Sequence, residues 1–145
     1  MTGKGASVTP TIHTLSEGMH GSATPKDFEY LFQLLHLYFT KLNNDPKAYN
    51  SHASKMKAYL KNALSEPRTY FGVEVDAFLN SKNPRYVGFP TEENWANTDY
   101  NLAVEKYKER FADASDFNFY FVGNLDPAVL KKYAELYIGS LPSTK

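Results

Sequence analysis

Residues 7–41 read SVTPTIHTLSEGMHGSATPKDFEYLFQLLHLYFTK, and the change of pattern inside this stretch decides the fold class. Residues 6–24 are rich in Thr and Ser and hold no helical period, which predicts one bent strand or a hairpin. Pro10 lacks a ladder donor and argues for an edge or a bulge. Gly18 and Gly21 weaken and bend the second half. At Thr24 the pattern switches. Thr24 is a capping residue type, Pro25 suits the first helical position, and Asp27 completes a capping-box pattern. Apolar residues then recur at Phe28, Leu31, Phe32, Leu35, Phe39 and Leu42, a helical stripe. Leu34 and Leu37 lie off that stripe, so the helix is apolar over much of its girth and needs to be sandwiched or covered by a partner.

Helical patterns continue outward from there. Asp45 and Pro46 open a helix to about Leu64, with Tyr49, Ala53, Met56, Leu60 and Leu64 on one face. Ser65-Glu66-Pro67 interrupts it, and a third helix runs to Leu79 or Asn80. KNPRYVGFPT, residues 82–91, is a loop by composition. A short helical turn covers Glu92–Asn97, and Thr98 or Asp99 caps a helix to about Phe111, with Tyr100, Val104, Tyr107 and Phe111 inward. DFNFYFV, residues 116–122, sets Phe117, Phe119 and Phe121 against Asn118, Tyr120 and Val122, the pattern of a strand with one apolar face. Gly123-Asn124 turns, Asp126-Pro127 caps a last helix, and Gly139 sits where a left-handed stop is expected. The expected class is α+β: a small antiparallel sheet, mostly from the two ends of the chain, with helices packed on one face. About three strands leave open edges, which invite another strand.

Composition narrows the functions. The 145 residues suffice for one ordinary domain, 1–145, with residues 1–5 expected to be disordered. Sixteen basic and sixteen acidic residues cancel, and no basic stripe favours nucleic acid. The absence of cysteine excludes disulfides and thiolate metal sites. No apolar run approaches the roughly 18 residues of a membrane span, and MTGKGASVTP lacks the apolar core of a signal peptide. The chain is therefore expected to be soluble. Aromatic residues make up 15% of it, ring surface that a core or a partner must absorb.

HTLSEGMH, residues 13–20, raises the question of zinc. Zinc takes nitrogen from neutral His or oxygen from carboxylates, usually four ligands in a tetrahedron. On a helix His13, Glu17 and His20 share a face, but two glycines and the preceding extended run argue against a helix. On a regular strand 13 and 17 share a face and His20 points away; only a bulge at Gly18 brings it round. These residues therefore read as polar strand positions. His36 lies with Glu29, Gln33 and Thr40 on the polar side of its helix, and His52 borders the stripe of the next. No G-x-S-x-G elbow occurs, and GKGAS at 3–7 is not a phosphate loop. Glu92-Glu93 and Glu105/Glu109 read as solvated helix positions. Arg85-Tyr86 reads as a clamp for a carboxylate or carbonyl, or more simply as a loop that packs its Tyr.

Three segments together carry a resemblance. They are SVTPTIHTLSEGMHGSATPKDFEYLFQLLHLYFTK, LKNALSEPRTYFGVEVDAFLNSKNPRY and VEKYKERFADASDFNFYFVGNLDPAVLKKYAELYIGSLP. They resemble the pitrilysin/insulinase family of zinc metallopeptidases, over about residues 6–142. The last segment is the most specific: a helix ending Y-x-x-x-F, a strand ending V-G-N, then D-P and a helix closing on G-S-L-P. The likeness is to the first domain of the C-terminal half of bacterial two-half members.

Several expectations follow from the resemblance. It implies a truncated peptidase-type domain, catalytically inactive, that forms part of a substrate chamber and touches peptide along strand edges. Zinc is implied for the N-terminal half of a parent protein, on an H-x-x-E-H helix and a later glutamate; no H-x-x-E-H occurs here. No catalytic or metal residue is carried over. The substrate-holding Arg and Tyr of the family lie in its final domain, so Arg85-Tyr86 does not inherit that role. The implied partners are the remaining domains of the parent, peptide substrate, and a second copy through exposed strand edges; the implied setting is the bacterial cell envelope. The alternative is a stand-alone protein-binding module of the same fold. A small metalloenzyme using His13, Glu17 and His20 is the third reading.

Overall fold

Val8, Thr9, Thr11 and Ile12 favour extended backbone, and their segment pairs with the glycine-containing one that follows. In the computed structural model, which describes residues 3–144, Ala6–Ile12 forms strand β1 and Glu17–Ala23 forms strand β2. They pair antiparallel from Ala6 opposite Ala23 to Ile12 opposite Glu17. The hairpin alternative for residues 6–24 is the one observed. HTLSEGMH is not one strand: residues 13–16 are the turn, closed by the His13 N–H on the Ser16 carbonyl at 2.7 Å. The register is unbroken through Thr11–Gly18, Pro10–Met19 and Thr9–His20, so no bulge turns His20 round. Pro10 lies in a strand with a free edge, where its missing N–H costs no ladder bond.

The described residues form two compact units. One contains the residues up to 43 together with those from Glu105 on; the other is Asn44–Val104.

In the first unit, helix α1 (Phe28–Thr40) lies against both strands. Gly21 permits that approach, since a Cβ there would stand 2.7 Å from Leu31 Cδ1 and 2.9 Å from the Ser7 carbonyl oxygen. The start of α1 departs from the expected capping box. A 3-10 turn, Pro25–Asp27, precedes it, and Thr24 makes no side-chain cap bond. Instead Thr24 Oγ1 donates to Asp27 Oδ2 at 3.0 Å, and the Gly5 N–H donates to the same oxygen at 2.9 Å. Asp27 therefore stitches the start of β1 to the start of the helix, and it is 3% exposed. The Gly5 N–H, foremost, holds its carboxyl below the usual range. The Lys4 ammonium lies 3.9 Å from Asp27 Oδ1 and 4.1 Å over the Tyr30 ring. Of residues 1–5, expected to be disordered, Lys4 and Gly5 are held in this way; Met1 and Thr2 lie outside the described residues.

The last part of the chain closes this unit. Helix α6 (Pro127–Tyr133) starts on Asp126, whose carboxylate accepts from the N–H groups of Ala128 and Val129, and continues into a π-helical turn, Ala134–Ile138. Gly139 does not adopt the expected left-handed conformation: its φ is −63°. It is small because a Cβ would lie 2.6 Å from the Glu135 carbonyl oxygen. Phe32, 1% exposed, is ringed by Phe28, Phe121, Tyr133 and Tyr137 at centroid distances of 5.2, 5.2, 5.7 and 6.3 Å. Phe111, equally buried, meets Phe39, Tyr107 and Phe117. Nine of the chain's aromatic rings meet in this core.

The second unit holds α2 (Pro46–Ala63), α3 (Pro67–Leu79), α4 (Glu92–Ala96) and the first turn of α5 (Tyr100–Arg110). Their N-termini are the ones read from the sequence. Asp45 accepts from Lys47 and Ala48, Glu66 from Arg68 and Thr69, and Asp99 from Asn101 and Leu102. Thr91 and Asn94 form a reciprocal capping box. Leu60 and Ala63 are buried, whereas α3 leaves Phe71, Phe78 and Leu79 exposed.

Candidate functional site

The expected strand at 116–122 is the main correction to the fold. Its alternation is real: Phe117, Phe119 and Phe121 are partly buried, while Tyr120 and Val122 are 85% and 98% exposed. Phe117 lies 5.0 Å from Phe39, and Phe121 stacks on Phe32 at 5.2 Å. Yet residues 117–122 join no ladder; the sheet has two strands, both from the N-terminal part of the chain. A period of two assigns faces, but a strand also needs a neighbour within reach, about 4.8 Å away. Here a furrow lies between.

That furrow is built from both sides and from below. One wall is β2 from Glu17 to Gly21, the other is Asp116–Phe121, and Leu31, Leu35 and Phe39 of α1 also line it. This length has a volume of about 490 Å³. A second length, about 800 Å³, runs on between Gly21–Ala23 and Tyr120–Asp126 with Phe28 and Val129 among its lining residues. The two share Gly21, Leu31, Tyr120 and Phe121, so they are neighbouring lengths of one groove. The start of β2 lies opposite the start of the extended segment and its end opposite the end. The walls therefore run in the same direction. A strand laid between them pairs with both in the same sense.

Backbone chemistry makes the walls reactive toward another strand. β2 spends one edge on β1, and its other edge is free in a two-stranded sheet. Among the described residues no backbone hydrogen bond joins Glu17–Ala23 to residues 117–122. The entry to the second wall is anchored. Asp113 accepts from Ser115 N at 2.9 Å and Oγ at 2.6 Å and from the Thr144 hydroxyl, and Ala114 N–H donates to the Pro142 carbonyl at 2.8 Å. These bonds, the Ser115 hydroxyl first, hold the Asp113 carboxyl far below the carboxylate range. At the exit Gly123 has φ +151°, which favours glycine.

The residues weighed for zinc are dispersed. His13 is in the hairpin turn, Glu17 opens β2 with its carboxylate 3.8 Å from Arg110, and His20 faces Thr9 across the ladder. Among the described residues no three His, Cys, Asp or Glu side chains come together to hold a metal. His36 is partly buried, 6.3 Å from the Tyr137 ring, and His52 lies 5.8 Å from Trp95. In the loop, Tyr86 packs near Val73 and Phe89, and its hydroxyl bonds Asp76, which raises its pKa. Arg85 shows no comparable seat.

One feature was hidden in the sequence. The polar side of α1 faces protein: Tyr137 and Tyr133 donate to Glu29 at 2.9 and 3.4 Å, and Gln33 donates to Tyr137 at 3.2 Å. Burial, foremost, pushes the Tyr133 hydroxyl pKa up. The only sequence signal was two tyrosines four residues apart on the last helical stretch.

No helix among the described residues is long and apolar enough to cross a membrane. The chain matches no protein-family model, no curated protein and no solved structure.

Proposed function

We propose that this chain captures an extended peptide by main-chain pairing in the groove, as a non-catalytic wall domain of a zinc peptidase of the pitrilysin/insulinase type. The observation that carries the reading is the pair of strand-like walls that face each other across apolar α1 side chains and, among the described residues, share no backbone hydrogen bond between Glu17–Ala23 and residues 117–122. A strand laid there satisfies backbone groups on two sides and buries alternate side chains against Leu31, Leu35 and Phe39. The three-segment resemblance supplies the context. On this reading zinc and hydrolysis belong to another part of a parent protein, the remaining domains are partners, and no residue here is catalytic.

Amide hydrogen exchange with and without a saturating extended peptide tests the capture. Slowed exchange in both Glu17–Ala23 and residues 117–122 is the expected result. No change in either wall would sink it. A purified chain holding one tightly bound zinc would contradict the non-catalytic assignment.

A stand-alone binding module is the second reading, favoured by the groove lying wholly within one unit. Immunoblotting of source cells separates the two. A band many times heavier than 16.4 kDa supports the wall domain, and one near that mass the module.

A further inference from the structure

Helix α3 carries its large apolar residues outward. At 3.6 residues per turn Phe71, Val75 and Phe78 fall on one face, with Leu79 at its border. Phe71, Phe78 and Leu79 are between 70% and 78% exposed, and Val75 is exposed as well. Thr69, Val73 and Ala77, on the opposite side, are the partly buried residues. A surface helix ordinarily buries its apolar stripe. Gly72 is a second, independent sign. It lies inside α3 beside this face, and a Cβ on it would meet nothing within 4 Å outside its own turn of helix. Glycine in a helix interior weakens the helix relative to alanine. Among the described residues no contact calls for it, whereas close approach of another helix does. Arg68 shares the face, three residues before Phe71 and seven before Val75. In an antiparallel helix pair it comes to the C-terminal end of the partner helix, where a cation is favoured. Lipid fits less well: α3 carries Glu74 and Asp76 against one cation, Arg68, and helices that lie on membranes are rich in Lys and Arg.

We propose that two copies of this chain pair through α3, antiparallel across a two-fold axis, with Phe71, Val75, Phe78 and Leu79 of each against those of the other and Gly72 at the closest backbone approach. A two-fold contact needs one self-complementary face, which an apolar helix side supplies. The area is sufficient. With about 150–250 Å² on an aromatic side chain, the face presents on the order of 500 Å² per copy, so a pair buries about 1,000 Å², the lower bound for a specific interface. The contact uses the second compact unit alone and is independent of the groove.

Sedimentation velocity of the intact chain over about 1–500 µM tests the pairing, since self-association depends on protomer concentration. Gly72→Gln and Phe78→Ser are run beside it; both positions are exposed. The expected result is a reversible dimer with a Kd of about 10–100 µM, the weak regime of so small an interface. Gly72→Gln holds the two backbones apart and weakens the dimer about tenfold or more. Its melting temperature at the lowest concentration equals or exceeds that of the unsubstituted chain, because Gln is the better helix former. Phe78→Ser weakens the dimer to a similar degree. A chain that stays monomeric at the highest concentration overturns the proposal. A dimer that either variant leaves unchanged also overturns it and places the contact elsewhere, such as the free edge of β2. Co-sedimentation of a monomeric chain with phosphatidylserine vesicles, lost in Phe78→Ser, assigns the face to lipid and overturns it too.

Discussion

Phe32 shows how much one side chain holds. It sits on α1, and its four ring partners come from α1, the extended segment and the last helical stretch. Phe32→Ala leaves a cavity that rigid neighbours close only in part, at an expected cost of about 3–5 kcal/mol in urea unfolding. Loss of under about 1 kcal/mol would mean that the rings repack freely. Tyr107 makes a different prediction. Its hydroxyl donates to the Tyr38 carbonyl at 3.0 Å, and burial, foremost, pushes its pKa up to about 12. An unfolded Tyr loses its proton near pH 10, whereas folded Tyr107 keeps it to about 12. Stability from this group is complete below pH 10 and falls as pH rises toward 12. Tyr107→Phe costs about 0.5–1.5 kcal/mol at neutral pH through the lost bond. It also flattens the alkaline fall of the melting temperature relative to the unsubstituted chain. Parallel alkaline limbs for the two proteins would refute the assignment.

At the scale of elements, the sheet and α1 meet through a glycine. Gly21→Ala forces a Cβ against Leu31 Cδ1 and, less yieldingly, against the Ser7 carbonyl oxygen. The expected cost is about 1–3 kcal/mol, from a strand pushed off the helix. Circular dichroism melts measure it, and an unchanged midpoint would show that the hairpin floats on the helix. Helix starts were legible because capping is local: Asp45, Asp99 and Asp126 each sit two or three residues from the N–H groups they accept. The start of α1 was not legible, because the donor to Asp27 is Gly5, 22 residues upstream. The seam of Glu29 with Tyr133 and Tyr137 was hidden for the same reason.

For the molecule as a whole, buried apolar residues are unevenly shared. Val8, Phe32, Phe111 and Leu141 belong to the first unit; Leu60 and Ala63 belong to the second. Local opening is easiest where few apolar side chains are buried. Native-state hydrogen exchange should therefore find α2 and α3 opening at lower free energy than α1 and α6. Equal protection of all four helices would show that one cooperative core governs the chain. The groove also belongs to this scale. Each wall was visible as an extended segment, but the space between them was not.

By itself the sequence determined the α+β class, the starts of the helices capped by Asp45, Asp99 and Asp126, the apolar face of residues 117–122 and the absence of a recognised zinc spacing. All of these depend on contacts within a few residues or on side-chain periods of 2 and 3.6. Only the tertiary structure decided that 117–122 stays out of the sheet, that Asp27 ties the first strand to the first helix, and that a groove lined by α1 lies between β2 and residues 116–126. Those features join groups up to about a hundred residues apart, and no local period records which distant backbone edge finds a neighbour.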